Sequence, residues 1–405
     1  MRDVIIIGAG PSGNIAALNV AKAGFSVEVY DWRTKIGDKL CTGIIGQSCY
    51  KEYPPTKSQI YRSTSSATIV APSGKNYLIN NSNPQAYIID RISYIEAFAI
   101  KAVDAGATYH LGKKIVSVEI TDKEVTVRSE FNGHTEVSTS KAVVVATGFG
   151  SPLLKMAGLG NDENKNFLTG CQTAVQTDDL SRATVFLGSQ IGHGSFGWLV
   201  PTKHNQALLG LATPRKLNGQ MDSLIKHLIN KGYFKKTEYP IRKWGIPVNP
   251  STPTYNNRAL SIGDAAGLTK PTTGGGIYYS LISGELAAKA LINALKEEDL
   301  SAKQLRLYEV AWKSLLSNEI KLGNFARRMF ESIKDSQIEF LISKLMTDDV
   351  RGDLLESNSV SFDWHSGIIK EAVMHTVFGK CLNILTPEFT RQKSDMRSTG
   401  SFEVA

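Results

Sequence analysis

The chain has 405 residues, 42% hydrophobic and 21% charged, a balance that belongs to a folded globular protein large enough for an interior ligand site. Its four cysteines form no C-x-x-C pair, which argues against an iron–sulfur cluster or structural zinc, and no apolar run approaches the ~18 residues of a membrane span. The net charge of +8 concentrates between positions 215 and 243, where Arg215, Lys216, Lys226, Lys231, Lys235, Lys236, Arg242 and Lys243 meet only Asp222 and Glu238.

That basic stretch reads as a solvated face, or as a patch for anionic headgroups or a diphosphate. It lacks interleaved aromatics, so nucleic acid is not an expected partner. The N-terminus, MRDVIIIGAG, enters a strand too soon for a signal peptide. The expected location is the cytoplasm, with peripheral contact at a membrane surface as an extension.

Residues 4–7, an unbroken apolar run, predict a strand buried on both faces. A helix follows from about Ser12 to Ala23, then a strand over 26–31. A helix over Ser93–Ala105 precedes a strand at Tyr109–Leu111, further strands near 114–120 and 123–131, and a buried strand in AVVVATG (142–148). Between about 169 and 254 the alternation in ATVFLGS and ALLGLAT predicts an antiparallel sheet. RALSIG (258–263) returns to the first domain, and helical periodicity dominates beyond 301. The expected fold is α/β: a Rossmann-like domain (1–53, 88–168, 255–300), an inserted antiparallel β-sheet domain (54–87, 169–254) and a helical C-terminal region (301–405).

GAGPSG (8–13) fits G-x-G-x-x-G between a strand and a helix, with Asp31 positioned for an adenosine ribose. Gly8, Gly10 and Gly13 permit a tight turn and close approach of backbone to a pyrophosphate. This motif does not separate NAD from FAD. A second one does: GDAAGLTKPTTGGGIYY (263–279) again joins an apolar strand to a helix through glycines. Asp264 suits the hydroxyls of a ribityl chain, and the N–H groups around Gly275, Gly276 and Ile277 suit the polar edge of a flavin ring.

With KLCTGIIG (39–46), and FGWLVP (196–201) with a later G-L-A (210–212), these motifs resemble the geranylgeranyl reductase family of flavoproteins, over most of residues 1–330. The resemblance implies the p-hydroxybenzoate hydroxylase-like fold and FAD. It assigns Ser12 and Gly13 to the pyrophosphate, Asp31 to the ribose, and Cys41, Thr42 and Ile44 to a loop along the flavin. Arg91, in IIDRISY, would meet the phosphate region, unless it pairs with Asp90 or Glu96. Ile115 would touch adenine through its backbone, and Asp264, Gly276 and Ile277 would meet the ribityl chain and ring. Gly148 is carried as a cofactor-side position, although Thr147-Gly148 stands where relatives commonly have Asp-Gly. Trp198 would lie over the substrate cavity, or simply pack in the core.

An isolated prenyl double bond has no carbonyl to accept electrons, so its reduction needs an acid opposite the hydride donor. Cys41 is the candidate: a thiol of pKa about 8.5 is mainly protonated at neutral pH. The alternative is a small packing residue. Cys49, Cys171 and Cys381 are taken as structural, as are His193, His204, His365 and His375, and no metal site is expected. The expected activity is FAD-dependent saturation of geranylgeranyl chains in a membrane lipid or prenyl diphosphate. The electron donor stays open among NADPH, ferredoxin and a deazaflavin. Competing readings are a flavin monooxygenase or halogenase using Lys35 or Lys39, and a flavin electron carrier to a quinone. Ile369, Val373, Val377, Cys381 and Ile384 form one helical face that either packs on the protein or walls a lipid tunnel at the bilayer.

Overall fold

The computed structural model describes residues 1–160, 166–178, 180–214, 216–234, 240–346 and 361–374. Val377, Cys381, Ile384 and His375, with Arg215, Lys235, Lys236 and Glu238 of the basic stretch, lie outside these residues.

The chain opens with β1 (Arg2–Ile7), the glycine turn, α1 (Pro11–Lys22) and β2 (Val27–Asp31). Pro11 stands at the start of α1, where its fixed φ suits a helix and its missing N–H costs nothing. Next come β3 (Ile44–Gly46), α2 (Gln47–Glu52), β4 (Ile60–Thr64), β5 (Ser66–Val70), β6 (Asn76–Asn80) and β7 (Ala86–Ile89). Then follow α3 (Arg91–Asp104), β8 (Thr108–Leu111), β9 (Lys114–Ile120), β10 (Val125–Phe131), β11 (His134–Val145) and α4 (Leu153–Met156). The middle of the chain supplies β12 (Phe167–Gln176), β13 (Ala183–Leu187), β14 (Phe196–Pro201), β15 (Gln206–Thr213), α5 (Gln220–Asn230) and β16 (Arg242–Pro247). It ends with β17 (Tyr255–Asn256), β18 (Ala259–Ser261), α6 (Ile277–Lys296), α7 (Ala302–Ser332), α8 (Asp335–Leu345) and α9 (Ser366–Met374).

The first sheet runs β17-β18-β11-β1-β2-β8, with β9 and β10 branching from β11. β1 lies parallel to both neighbours, Ile5 opposite Val143 and Glu28. Side chains alternate between the faces, and each face has its own core. Val4 and Ile6 meet helices α1, α3, α6 and α7, whereas Ile5 and Ile7 meet Val118, Val127 and Leu153. AVVVATG, expected to be a strand by itself, is the second half of β11: the first half pairs with β10 and the second with β1 and β18.

The second sheet runs β16-β12-β15-β14-β13-β5-β6. It is antiparallel except at one junction, where β13 and β5 are parallel with Ala183 opposite Ala67. No hairpin joins these two strands, so nothing local dictates their direction. One face packs on α5 through Met221, Leu224 and Leu228. The other carries Trp198, Val200 and Ile246 toward Ile44 and Ile88. Residues 54–87 divide between two sheets: β5 and β6 join this one, while β4 joins β7 and β3 in a three-stranded sheet. Helix α9 packs against α7. Among the described residues no helix is long and apolar enough to cross a membrane.

Candidate functional site

The first glycine turn tolerates no side chain at two points. Gly8 has φ +116°, and a Cβ there would lie 2.3 Å from the Ala146 carbonyl oxygen. A Cβ on Gly13 would lie 1.9 Å from the Gly8 oxygen. Asp31 at the end of β2 braces the turn: one carboxylate oxygen accepts the Ala9 N–H at 2.8 Å and the other the Arg33 N–H at 2.8 Å. Gly10, at the cap position before α1, supplies no side-chain cap.

The second turn is built the same way. Gly276 precedes α6, again with no side-chain cap, so neither helix start is satisfied by a capping side chain. The two helices cross where Gly284 of α6 rests on Ser12 of α1: a Cβ on Gly284 would lie 2.4 Å from the Ser12 oxygen. Gly263 also abuts Ser12, and Gly276 abuts the Asp264 carboxylate. Ser12, Gly13, Asp264, Gly276 and Ile277 are thus brought to one place from opposite ends of the chain.

Asp264 forms an ion pair with Lys39. It also lines a cavity of about 330 Å³ with Phe149, Gly150, Ser151, Ser251 and Ala265. Gly148, at φ +77°, directly precedes Phe149 in the chain, and a Cβ there would be 3.8 Å from the Lys39 ammonium nitrogen. Beside it the Thr147 hydroxyl is buried without a hydrogen-bond partner. Uncapped helix starts, a glycine cradle and an orphaned hydroxyl make a polar, backbone-lined cleft that fits a diphosphate-linked cofactor.

Lys39 leads into the loop of Cys41, Thr42 and Ile44. Cys41 is half-buried, and its sulfur accepts the Gly43 N–H at 3.4 Å. The Thr42 hydroxyl donates to Gln172 Oε1 of β12 at 3.2 Å, tying the loop to the second sheet. Ile44 packs in the cluster that holds Trp198. Trp198 is buried flat on Gly210, where a Cβ would clash at 2.2 Å, and its indole N–H has no partner. Its contacts are those of a core residue, in a layer adjoining the Cys41 loop.

Arg91 donates to the Gly37 carbonyl and forms no ion pair with Asp90 or Glu96; Asp90 instead caps α3 through the Ser93 N–H. Ile115 is buried with Ile7 and Tyr30, near the strand ends that lead into the glycine turn and Asp31. Cys49 and Cys171 are buried: burial drives the Cys171 thiol up to about 11, and burial together with Asp363 raises Cys49 further.

Sequence reading passed over three groups beside this site. Lys270, within the glycine-rich motif, is buried, and burial lowers its pKa against the pull of Asp363. Asp363 is itself fully buried. His365, taken as structural, lies against Thr272, and burial, then the Lys270 charge, hold it down at about 3. The available signal was a lysine placed inside a turn otherwise made of small residues.

Residues 2–192 match the family model described as pyridine nucleotide-disulphide oxidoreductase. A digeranylgeranylglycerophospholipid reductase of Methanocaldococcus jannaschii is 28% identical over 85% of this chain and 90% of its own length. Its namesake from Methanosphaerula palustris is 29% identical over 77% and 81%. Among solved structures, a geranylgeranyl bacteriochlorophyll reductase-like protein from Thermoplasma acidophilum superposes with TM-score 0.82 at 22% identity, over 97% of this chain and 98% of that one. A flavin-dependent brominase shares the fold with TM-score 0.69 at 19% identity, over 96% of this chain and 99% of that one. By motif, fold and sequence likeness, the chain is a flavoprotein oxidoreductase, similar over most of its length to proteins named digeranylgeranylglycerophospholipid reductase.

Proposed function

We propose that the protein is an FAD-dependent reductase that saturates carbon–carbon double bonds of geranylgeranyl chains in a membrane lipid or its precursor. The observation that carries this reading is the convergence of the Lys39–Ile44 loop, with its Cys41 thiol, and the Asp264–Ile277 turn on one cleft. Likeness in sequence to named digeranylgeranylglycerophospholipid reductases supports the substrate class.

In this reading Ser12 and Gly13 bind the pyrophosphate, and Asp31 binds the ribose with the lone pairs left free by Ala9 and Arg33. Gly148, Arg91 and the Ile115 backbone border the adenosine and phosphate part. Asp264 accepts from the ribityl chain, while the N–H groups of Gly275, Gly276 and Ile277 hold the polar edge of the ring. When bound and reduced, FAD supplies a hydride at N5. Cys41 holds the proton that an unactivated alkene requires on its other carbon, and Thr42, anchored on Gln172, holds the Cys41 loop against the second sheet. Trp198, Ile44 and Ile88 keep water from the alkene.

The halogenase alternative calls for a lysine amine free to carry an oxidised halogen. Lys39 is committed to Asp264 and Lys35 is exposed, which favours the reductase. The test is anaerobic incubation of dithionite-reduced holoenzyme with geranylgeranyl glycerophospholipid and, separately, geranylgeranyl diphosphate. Product mass rising in steps of two hydrogens is expected. Unchanged lipid and diphosphate would sink the proposal. Repeating the assay with NADPH, ferredoxin or a reduced deazaflavin identifies the physiological donor class.

A further inference from the structure

The short segment ahead of α9 reaches back to the site from the far end of the described chain. The Asp363 carboxylate accepts the Gly46 N–H at 3.1 Å and the Cys49 N–H at 3.0 Å, capping α2 from 317 positions beyond Gly46. Gly46 is glycine for this reason: a Cβ there would lie 2.4 Å from the carboxylate. On its other side, Asp363 Oδ1 stands 3.9 Å from the Lys270 ammonium, which donates to the Phe362 carbonyl at 2.6 Å. The Lys270 stem lies directly under Gly275, 2.9 Å from where a Cβ would be. Next in the chain, the Trp364 indole donates to Ser48 at 3.1 Å and packs on Tyr278 and Tyr279 in the first turn of α6. Glu319 of α7 holds the segment's other end, accepting the His365 and Ser366 N–H groups at 2.8 and 2.9 Å.

A carboxylate with no solvent is tolerated only while its partners stay in place, because a buried charge without them is strongly disfavoured. The partners of Asp363 sit on two elements that flank the cleft. Gly46 and Cys49 directly follow the Cys41 loop, and Lys270 supports the glycine turn. Moving either element strips the buried charge of a partner, so the gap between them is held at one width.

We propose that Asp363 is a positioning residue, which fixes the spacing between the Cys41 loop and the Gly275–Ile277 turn and thereby the seat of a flavin ring. This rests on the flavin reading above. The alternative is that Asp363 stabilises the fold and has no bearing on the cleft.

Three readouts separate these on wild type, Asp363→Asn and Asp363→Glu, each reconstituted with FAD. They are the visible spectrum of the bound flavin, the FAD dissociation constant from fluorescence quenching, and the rate of Cys41 alkylation followed by peptide mass. Asparagine presents an N–H group to one of the two capped amides. Asp363→Asn is expected to bind FAD at least tenfold more weakly, to shift the flavin bands and to speed Cys41 alkylation. Glutamate keeps the charge for Lys270 but is too long for the space beside Gly46. Asp363→Glu is therefore expected to show the shifted spectrum and faster alkylation with the charge retained, and it carries the test if the asparagine variant does not fold. Folded variants with wild-type spectrum, affinity and alkylation would overturn the positioning role, whatever their melting temperature. A wild-type chain that takes up no flavin would overturn the underlying reading instead.

Discussion

Lys39 and Asp264, 225 positions apart, form an ion pair that closes the Cys41 loop onto the GDAAG turn. Both are partly accessible, so the attraction itself contributes little to stability. Its importance is geometric, because it places a carboxylate at the cavity mouth with its direction set. Asp264→Asn keeps the shape and removes the charge that orients Lys39. FAD affinity is expected to fall about tenfold, or ~1.4 kcal/mol, with the melting temperature near wild type. Titration of the apoprotein with FAD measures it; unchanged affinity removes Asp264 from the binding site.

Cys41→Ser replaces the thiol by a far weaker acid of nearly the same size. Turnover of geranylgeranyl lipid should drop by roughly 10²–10⁴, the usual contribution of a positioned acid. The flavin spectrum and FAD content should stay those of wild type. Serine supporting normal turnover would return Cys41 to a packing role.

Gly8 and Gly10 make a paired comparison. At Gly8 a Cβ meets backbone at 2.3 Å and φ is +116°, whereas at Gly10 nothing lies within 4 Å. Gly8→Ala should therefore destabilise the fold by about 2–4 kcal/mol. Gly10→Ala should leave stability within ~0.5 kcal/mol yet weaken FAD, since its methyl group enters the space where a phosphate would approach. Urea unfolding and FAD content report the two effects separately. Equal stability of both variants would contradict the packing at Ala146.

His365 gives a pH dependence of definite sign. Burial and Lys270 hold its folded-state pKa at about 3, against 6.5 ordinarily. Stability carried by the neutral ring is complete above pH 6.5 and is lost as pH falls from 6.5 toward 3, by at most ~1.4 kcal/mol per pH unit. Thr272 and the Phe362 carbonyl are its hydrogen-bonding partners. The melting temperature of His365→Asn should fall less steeply than wild type between pH 6.5 and 4. Parallel curves for the two proteins would show that His365 does not carry this dependence.

Much of the fold around the candidate site is legible in the sequence because its signals are local. A buried strand, a glycine turn, a helix and an acid at the next strand end all fall within residues 4–31, and each constrains backbone conformation directly. GDAAG with KPTTGGGI repeats that logic once, so two short stretches suffice to name a cofactor class. Other features left no such trace. The split of residues 54–87 between two sheets, and the parallel pairing of β13 with β5, depend on which distant edges meet. Trp198 illustrates the boundary: alternation in β14 puts it on one face, but only packing shows that the face adjoins Ile44.

The amino-acid sequence by itself determined the two glycine-rich turns and the class of fold, because glycine spacing and hydrophobic period act over a few residues. Tertiary structure alone decided that Asp363 caps Gly46, that Lys270 lies beneath the glycine turn and that Lys39 meets Asp264. Those contacts join residues separated by most of the chain, and a single buried charge selects its partner through desolvation and geometry, neither of which has a period to be read.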